Sequence, residues 1–271
     1  MIDIGANLAH DSFDLDRDAV LARARDAGVG LIVVTGSSLE SAQRAVELAD
    51  QYPGQLYATA GLHPHHASEW SLTHAERFRA LAQHPRCVSL GECGLDYFRD
   101  LSPRADQQRA FVAQLELAAE LRKPLFLHQR DAHADFLAIL REYRSRLGGV
   151  VVHCFTDTRA ALNDYLALDC HIGITGWICD ERRGRHLLEA VTDIPADRLM
   201  VETDAPYLLP RTAPKPVPAG PKGGIEGTAS RRNEPAFLPW VVRAIAAARK
   251  EEFESVAAAT TTTARAFFNL P

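Results

Sequence analysis

Short apolar runs recur along this chain, and each leads into a residue that can bind a metal ion or a phosphate. CVSLGE ends in Glu92, PLFLH ends in His128, GVVVH ends in His153, and LMVETD ends in Asp204; LYATAGLH ends in His63. The carboxyl ends of parallel strands in a closed sheet meet at one face. If these runs are such strands, the acids and imidazoles converge there. The pattern therefore predicts a catalytic site.

The strand-like runs alternate with helix-like segments. Strands are predicted to begin at or near Ile2, Leu31, Leu56, Cys87, Pro124, Gly149, His171 and Leu199. Helices are predicted at 16–27, 39–51, 72–83, 107–122, 159–168 and 182–191, with others after His128 and from Pro235 onward. The strand runs are continuously apolar, which is typical of strands covered on both faces.

This alternation predicts an α/β fold, a (β/α)8 TIM-type barrel forming one domain over residues 1–271. An open, doubly wound sheet is the alternative. The barrel is favoured because the polar residues follow many strands instead of one switch point. In addition, no glycine-rich phosphate loop follows the first strand.

Composition indicates an ordinary globular protein, with 46% hydrophobic and 24% charged residues. No apolar run approaches the roughly 20 residues that cross a bilayer, and the N-terminus lacks the features of a secretory signal. The five cysteines show no CxxC spacing, so we expect reduced, buried thiols in a cytoplasmic protein. The net charge of −5 argues against sequence-independent binding to a long duplex, but not against a strand held locally by a metal and a few arginines.

Four candidate ligands follow four different strands: Glu92, His128, His153 and Asp204. A single histidine at a strand end is more often structural. Burying all four groups together without a cation would be costly, because charged groups lose hydration and carboxylates repel one another. The set therefore predicts a divalent metal site.

The sequence around His63 is more ambiguous. In His63-Pro64-His65-His66, His63 is nearest the strand end and can be a ligand or a phosphate donor, whereas His66 is predicted to be solvated. Arg130 can reach an anionic substrate or form a salt bridge with Asp131 or Asp135.

Several other polar residues near strand ends allow two interpretations. Glu202 points to the same side as Asp204 by strand alternation, or pairs with a structural arginine. Asp96 is expected to organise its loop. The remaining candidates are Arg231 and Arg232, which can grip phosphates or be solvated, and Trp177 and Tyr207, which can stack on bases or pack at the barrel rim.

Taken in order, these segments resemble the TatD-family metal-dependent deoxyribonucleases over the whole chain. The matching blocks are DIGANL near Asp3, AGLHPH from Ala60, GECGLDYFR from Gly91, HQRDAH from His128, HCFT from His153, GITGWICDERRG from Gly173, ETDAPYLLPR from Glu202 and SRRNEP from Ser230. The resemblance implies a (β/α)8 barrel that hydrolyses DNA phosphodiesters with a divalent cation. It also implies that Glu92, His128, His153 and Asp204 are the ligands, and the most similar branch resembles a 3′–5′ exonuclease on single-stranded DNA and RNA.

The chain departs from the family pattern at three places. Gly5 and Asn7 stand where many relatives carry a His-x-His pair on the first strand, which puts a binuclear site in doubt. Asp157 replaces a glycine after HCFT, and the Pro/Gly-rich segment around 213–229 is longer than usual.

The leading hypothesis is a metal-dependent nuclease. Glu92, His128 and His153 hold the cation, while Asp204 completes its shell or orients the attacking water and accepts a proton. His63 acts in catalysis and, with His65 and Arg130, binds the substrate phosphate.

The metal and the partners follow from the same hypothesis. The resemblance implies Mg²⁺, whereas two imidazoles favour Zn²⁺ or Mn²⁺. The expected substrate is single-stranded DNA or RNA, acted on by a monomer with no obligate protein partner. The alternatives are an ester or amide hydrolase of the amidohydrolase type, for example on aminoacyl esters, and an inactive metal-binding scaffold.

Overall fold

The computed structural model of the protein describes residues 1–214 and 232–271. Its strands are β1 (Ile2–Ala6), β2 (Leu31–Val34), β3 (Leu56–Ala60), β4 (Cys87–Asp96), β5 (Leu125–Arg130), β6 (Val150–Val152), β7 (His171–Ile174) and β8 (Leu199–Val201). Its α-helices are α1 (Arg17–Asp26), α2 (Leu39–Gln51), α3 (Leu72–Ala82), α4 (Arg104–Leu121), α5 (His133–Tyr143), α6 (Arg159–Ala167), α7 (Arg185–Ala190), α8 (Leu238–Arg249) and α9 (Phe253–Phe268).

The strands form one parallel sheet in the order β1 to β8. Two backbone hydrogen bonds join the segment after β8 to β1: the Asp204 N–H donates to the Gly5 carbonyl at 2.8 Å, and the Asn7 N–H donates to the Ala205 carbonyl at 2.7 Å. The sheet therefore curves round into a barrel. The predicted (β/α)8 fold is confirmed, and the open-sheet alternative is wrong.

Most helices begin and end close to their predicted limits, and side chains cap the first turns of α2, α3 and α6. The Ser38 hydroxyl accepts from the Ser41 N–H at the start of α2, and the Thr158 hydroxyl accepts from the Ala161 N–H at the start of α6. Helix α7 is shorter than the predicted 182–191. The Asp180 carboxylate accepts from the backbone N–H groups of Arg182 and Arg183, which holds those residues in a turn.

An apolar layer fills the N-terminal part of the barrel. Large side chains from several strands form one buried cluster, among them Ile4, Tyr57, Phe126 and Met200, and Phe268 of α9 joins them. Burial of each such side chain contributes about 1.5–3 kcal/mol. The polar residues are therefore left to the opposite, C-terminal end.

Strand β4 runs beyond the predicted end at Glu92. It continues to Asp96, with a register irregularity between Leu90 and Cys93, so that Asp96 lies beside Arg130 of β5. Gly94 has a φ of 145°, and a Cβ atom there would overlap the His128 carbonyl. Only glycine permits this close approach of β4 to β5.

The structure also bears on two expectations drawn from composition, one about membrane-spanning segments and one about the cysteines. In the part of the chain that the structure describes, no helix is long and apolar enough to cross a membrane. All five cysteines are free, and four of them are buried.

Candidate active site

The Glu92 carboxylate lies at the centre of a cluster of three imidazoles. Its Oε1 atom is 2.7 Å from His153 Nε2, 3.1 Å from His128 Nδ1 and 3.4 Å from His63 Nε2. These residues lie within or just after four different strands, β3 to β6. The structure therefore brings together side chains that are separated by up to 90 positions in the sequence, as the strand-end argument predicts.

Charge attraction holds this cluster together. Burial alone would raise the pKa of Glu92, but the neighbouring His153 and His63 rings and the hydrogen bonds from His128 and His153 lower it well below its usual value. Burial would likewise lower the pKa of His153, but attraction to Glu92 and Glu202 raises it well above its usual value. The centre thus contains an ionised carboxylate that attracts positive charge.

Two of the three imidazoles have a second carboxylate on their outer nitrogen. His128 Nε2 lies 3.3 Å from Asp96 Oδ2, and His153 Nδ1 lies 3.4 Å from Glu202 Oε2. An imidazole that donates its outer N–H to a carboxylate has its inner nitrogen free to bind a metal, and this arrangement is typical of metal-binding histidines. His128, His153 and Glu92 are therefore the residues best arranged to hold an ion.

His63 differs from the other two rings. Its Nδ1 accepts a hydrogen bond of 3.1 Å from the His65 N–H at the start of the 3₁₀ helix Pro64–Glu69. Burial lowers the pKa of His63 to about 4, so the ring is neutral at pH 7 and its hydrogen lies on Nε2. Although the ligand atoms of His63, Glu92 and His128 lie within 4.8 Å of one another, this tautomer suits a hydrogen-bond donor better than a ligand.

Asp204 lies at the same end of the barrel but has a different partner. Its Oδ1 accepts a hydrogen bond of 2.9 Å from the Asn7 amide. Burial raises the pKa of Asp204 to about 7; attraction to His153 opposes this shift, and repulsion from Glu92 and Glu202 adds to it. Asp204 is thus electrostatically coupled to the cluster while Asn7 holds its position.

Position 5 cannot carry a histidine in this arrangement. A Cβ atom on Gly5 would overlap the Glu202 carboxylate, and a Cβ on Gly173 would approach it to 2.6 Å. Glu202 thus occupies the space between β1 and β7, and its Oε1 accepts from the Cys154 N–H at 2.5 Å. The interpretation that Glu202 faces the same side as Asp204 is supported by these contacts, and no arginine among residues 1–214 and 232–271 pairs with it.

Asp96 has two functions, of which the sequence indicated one. Its Oδ1 accepts from the Phe98 and Arg99 N–H groups at 3.0 and 2.8 Å, which organises the loop as predicted. Its Oδ2 also lies 2.9 Å from His65 Nε2, in addition to its contact with His128. The signal for this second function was the alternation of β4, which places residues 92, 94 and 96 on one face.

The side chain of Arg130 has no carboxylate partner among the described residues. Its guanidinium stacks on the Phe98 ring, 4.0 Å from the centroid. Asp135, one of the proposed salt-bridge partners, instead accepts from the Tyr97 hydroxyl at 2.8 Å. The salt-bridge alternative for Arg130 is therefore wrong, and its guanidinium is available to an anion.

Other predicted substrate contacts have mixed outcomes. Arg232 pairs with Asp16 at 2.6 Å and with Glu234 at 2.8 Å, so it supports the loop before α8. Arg231 and most of the segment 213–229 lie outside the described residues. The exposed His66 pairs with the exposed Glu69, as expected of a surface residue.

The structure also describes three further positions that the sequence left open. The Tyr207 ring is half-exposed, and the Trp177 ring carries the Arg183 guanidinium 4.3 Å from its centroid. The left-handed residue of the loop after β6 is Cys154, with a φ of 47°, so this conformation does not require a glycine at Asp157.

Comparison with known proteins identifies the family. A sequence model of the family described as TatD related DNase matches residues 2–269. The chain belongs to this family. It is 51% identical to the 3′-5′ ssDNA/RNA exonuclease TatD of Erwinia billingiae and 50% identical to that of Pantoea vagans, in each case over 271 residues and 100% of both chains.

Solved TatD structures share the fold. A TatD-family hydrolase from Entamoeba histolytica has a TM-score of 0.87 and 25% identity, covering 98% of this chain and 97% of its own. A TatD homologue from Escherichia coli K12 has a TM-score of 0.85 and 29% identity, covering 100% and 98%. The predictions of a TatD-type barrel and of a metal-dependent hydrolase of the nuclease class are confirmed.

Proposed function

We propose that this protein is a divalent-metal-dependent nuclease that removes nucleotides from the 3′ end of single-stranded DNA and RNA. The names of its relatives at 50–51% identity support this activity. The observation that carries the proposal is the Glu92 carboxylate faced by His128 and His153, each with an outer carboxylate partner.

The donor set fits a divalent cation, because it offers one ionised carboxylate oxygen and two imidazole nitrogens that converge on the same point. We assign the ion to Glu92, His128 and His153, with Asp204 completing the site. When bound, such an ion polarises a phosphoryl oxygen and lowers the pKa of an attacking water.

Asp204 is the proposed proton acceptor for that water. The Asn7 amide fixes one of its oxygens, so the other can face the substrate. Burial raises the pKa of Asp204 to about 7, and a nearby cation would lower it. The carboxylate would then be ionised at neutral pH and able to take up a proton.

His63 and Arg130 are the proposed donors to the substrate phosphate. The neutral His63 ring presents Nε2–H to the centre and so can donate to a non-bridging oxygen as negative charge develops there. Arg130 adds a planar cation without a carboxylate partner among the described residues. His65 contacts both Asp96 and the His63 ring, and so holds the His63 ring in place beside the phosphate site.

We propose Mg²⁺ as the working metal, held weakly and exchangeably. Two imidazoles favour Mn²⁺ or Zn²⁺ over Mg²⁺, which prefers oxygen ligands. Protein stripped with a chelator should therefore recover activity with Mg²⁺ and with Mn²⁺. Recovery with Zn²⁺ alone would refute the magnesium assignment.

A time course on single-stranded oligonucleotides tests the activity. With a 5′ label, the strand should shorten one nucleotide at a time; with a 3′ label, labelled mononucleotide should appear at once. E92Q and D204N should each lower the rate by at least about 100-fold, the scale expected for loss of a metal ligand or a general base. E69Q, which replaces an exposed carboxylate that pairs with the exposed His66, is the matched control and should digest normally.

The outcomes separate the competing functions. Internal cleavage would contradict exonuclease activity, and wild-type digestion by E92Q or D204N would refute the site assignment. Hydrolysis of aminoacyl esters without release of mononucleotides would favour the ester hydrolase. A folded protein inactive with every divalent ion would favour the scaffold.

A further inference from the structure

A cavity of about 280 Å³ lies at the C-terminal end of the barrel, and its lining includes residues that follow the candidate ligands His128 and His153 in the sequence. Cys154, which follows His153, forms part of its wall, and so does Arg130, two residues beyond His128. Trp177 and Arg183 belong to the same lining. The cavity therefore opens at the same end of the barrel as the candidate metal centre.

Two arginine–aromatic pairs line this cavity. Arg130 stacks on Phe98 at 4.0 Å, and Arg183 stacks on Trp177 at 4.3 Å. Nucleobases freed from a duplex stack on aromatic rings and on guanidinium planes, and both kinds of surface are present here.

The two arginines differ in whether a carboxylate already balances their charge. Arg183 lies 3.0 Å from the Asp180 carboxylate, so its charge is already balanced. Arg130 has no such partner among the described residues, so it can bind a phosphate as well as support stacking.

The volume limits what the cavity can hold. Pockets for drug-sized ligands span about 300–1,000 Å³, and this cavity lies just below that range. As bounded by the described residues, it can therefore accommodate one nucleoside but not a run of several. A strand that continued in both directions from the cleaved bond would need a longer groove on this side.

We propose that this cavity is the subsite for the 3′-terminal nucleotide of the strand, with its base against the two arginine–aromatic pairs and its 5′-phosphate between Arg130 and the metal centre. This inference rests on the proposed exonuclease function. Water adds its oxygen to the phosphorus, the bond from phosphorus to the O3′ atom of the preceding nucleotide breaks, and that O3′ takes up a proton. The product is a nucleoside 5′-monophosphate that fills the cavity.

The acidic residues of the cavity bear on the orientation of the bound nucleotide. Asp131 and Asp157 line the cavity together with Arg130. With the 5′-phosphate at Arg130, as proposed, a phosphate on O3′ would add negative charge to a cavity that already contains these two carboxylates, whereas a 3′ hydroxyl can donate to them. The cavity should therefore prefer a 5′-monophosphate to its 3′ isomer.

Binding of deoxyadenosine monophosphates tests this subsite without any turnover. The chain has three tryptophans, so the W70F/W240F double variant leaves Trp177 as the reporter of fluorescence. Deoxyadenosine 5′-monophosphate should quench this emission, and the 3′ isomer should bind about 10-fold more weakly, a difference of about 1.4 kcal/mol. In this background R130A should raise the Kd of the 5′ isomer about 10- to 100-fold, the range expected for a lost hydrogen bond to a charged group.

A matched control is R104A, since Arg104 also stacks on an aromatic ring, Tyr97, at 4.2 Å, but does not line the cavity. R104A should bind the nucleotide as the parent does. W177A, measured by calorimetry, should weaken binding about 5- to 100-fold, as expected for a lost base stack.

Failure of the subsite is distinguishable from failure of the proposed function. If the protein digests strands normally but the nucleotide leaves Trp177 emission unchanged, the subsite is wrong and the exonuclease function stands. Equal affinity for both monophosphate isomers, or an unchanged Kd in R130A, would also overturn the subsite.

Discussion

Replacing Glu202 with Gln tests how His153 is held for metal binding. Glu202 is fully buried, and its two oxygens have different donors: the His153 ring on Oε2 and the Cys154 N–H on Oε1. A glutamine has one oxygen, so its amide group would face one of these donors with another N–H. The substitution therefore preserves shape but removes one acceptor and the negative charge.

The magnitude follows from these contacts. Loss of an outer carboxylate partner typically lowers metal affinity by about 10- to 100-fold, which corresponds to about 1.4–2.8 kcal/mol of binding free energy. One donor left without an acceptor in a buried position also costs about 1–3 kcal/mol of folding free energy. E202Q should therefore bind the metal more weakly and unfold at a lower temperature.

Calorimetric titration of Mn²⁺ into chelator-stripped protein measures the first effect, and thermal unfolding of the same samples measures the second. E69Q changes an exposed carboxylate in the same way and should match the wild type in both. Wild-type Mn²⁺ affinity in a folded E202Q variant would refute the argument that this carboxylate prepares His153 for the metal.

Three further predictions follow from the site and the barrel. D96N should weaken Mn²⁺ binding about 10-fold or more, because it removes the outer carboxylate partner of His128. An unchanged affinity in titration calorimetry would show that this contact does not support metal binding. H63Q should lower kcat about 100-fold while leaving Mn²⁺ affinity within about 3-fold; a large loss of affinity would show that His63 is a ligand. Burial, with the positive charge of Arg198, lowers the pKa of His171 to about 4, whereas the value in the unfolded chain is near 6.5. Unfolding therefore takes up a proton between these pH values, so the free energy of unfolding falls as pH falls from 6.5 towards 4. H171L should therefore show a smaller drop in Tm between pH 7.5 and 5 than the wild type, and an equal drop in both would contradict the assignment.

The barrel and the positions of its polar residues were predictable from local sequence. Continuous apolar runs specify strands covered on both faces, and a polar residue after such a run lies at the C-terminal end of the barrel. Glu92, His128 and His153 could be grouped on that basis alone. Local pattern sufficed because a closed parallel barrel brings all its strand ends to one face.

The partners within the site were not predictable in this way. The contact between Asp96 and His128 depends on β4 running beyond Glu92, and Gly94 permits this by its close approach to β5. The choice of partner for Glu202 depends on the space left by glycines on two other strands. Such contacts arise from the packing of segments that are distant in sequence. The hydrophobic periodicity of a single segment therefore cannot predict them.

The cavity at the C-terminal end of the barrel was hidden for the same reason. Phe98, Arg130 and Trp177 belong to three different loops or strand ends, and each alone has an ordinary structural explanation. Only the structure shows that the two arginine–aromatic pairs line the same cavity.

Anomalous X-ray diffraction from a crystal soaked in Mn²⁺ tests the central claim most directly. We expect a peak within about 2.0–2.4 Å of a Glu92 oxygen, His128 Nδ1 and His153 Nε2, since first-row divalent ions bind oxygen and nitrogen ligands near these distances. His63 should remain hydrogen-bonded through Nδ1 to the His65 backbone. A peak that excludes Glu92, or Mn²⁺ bound only elsewhere on the protein, would contradict the account.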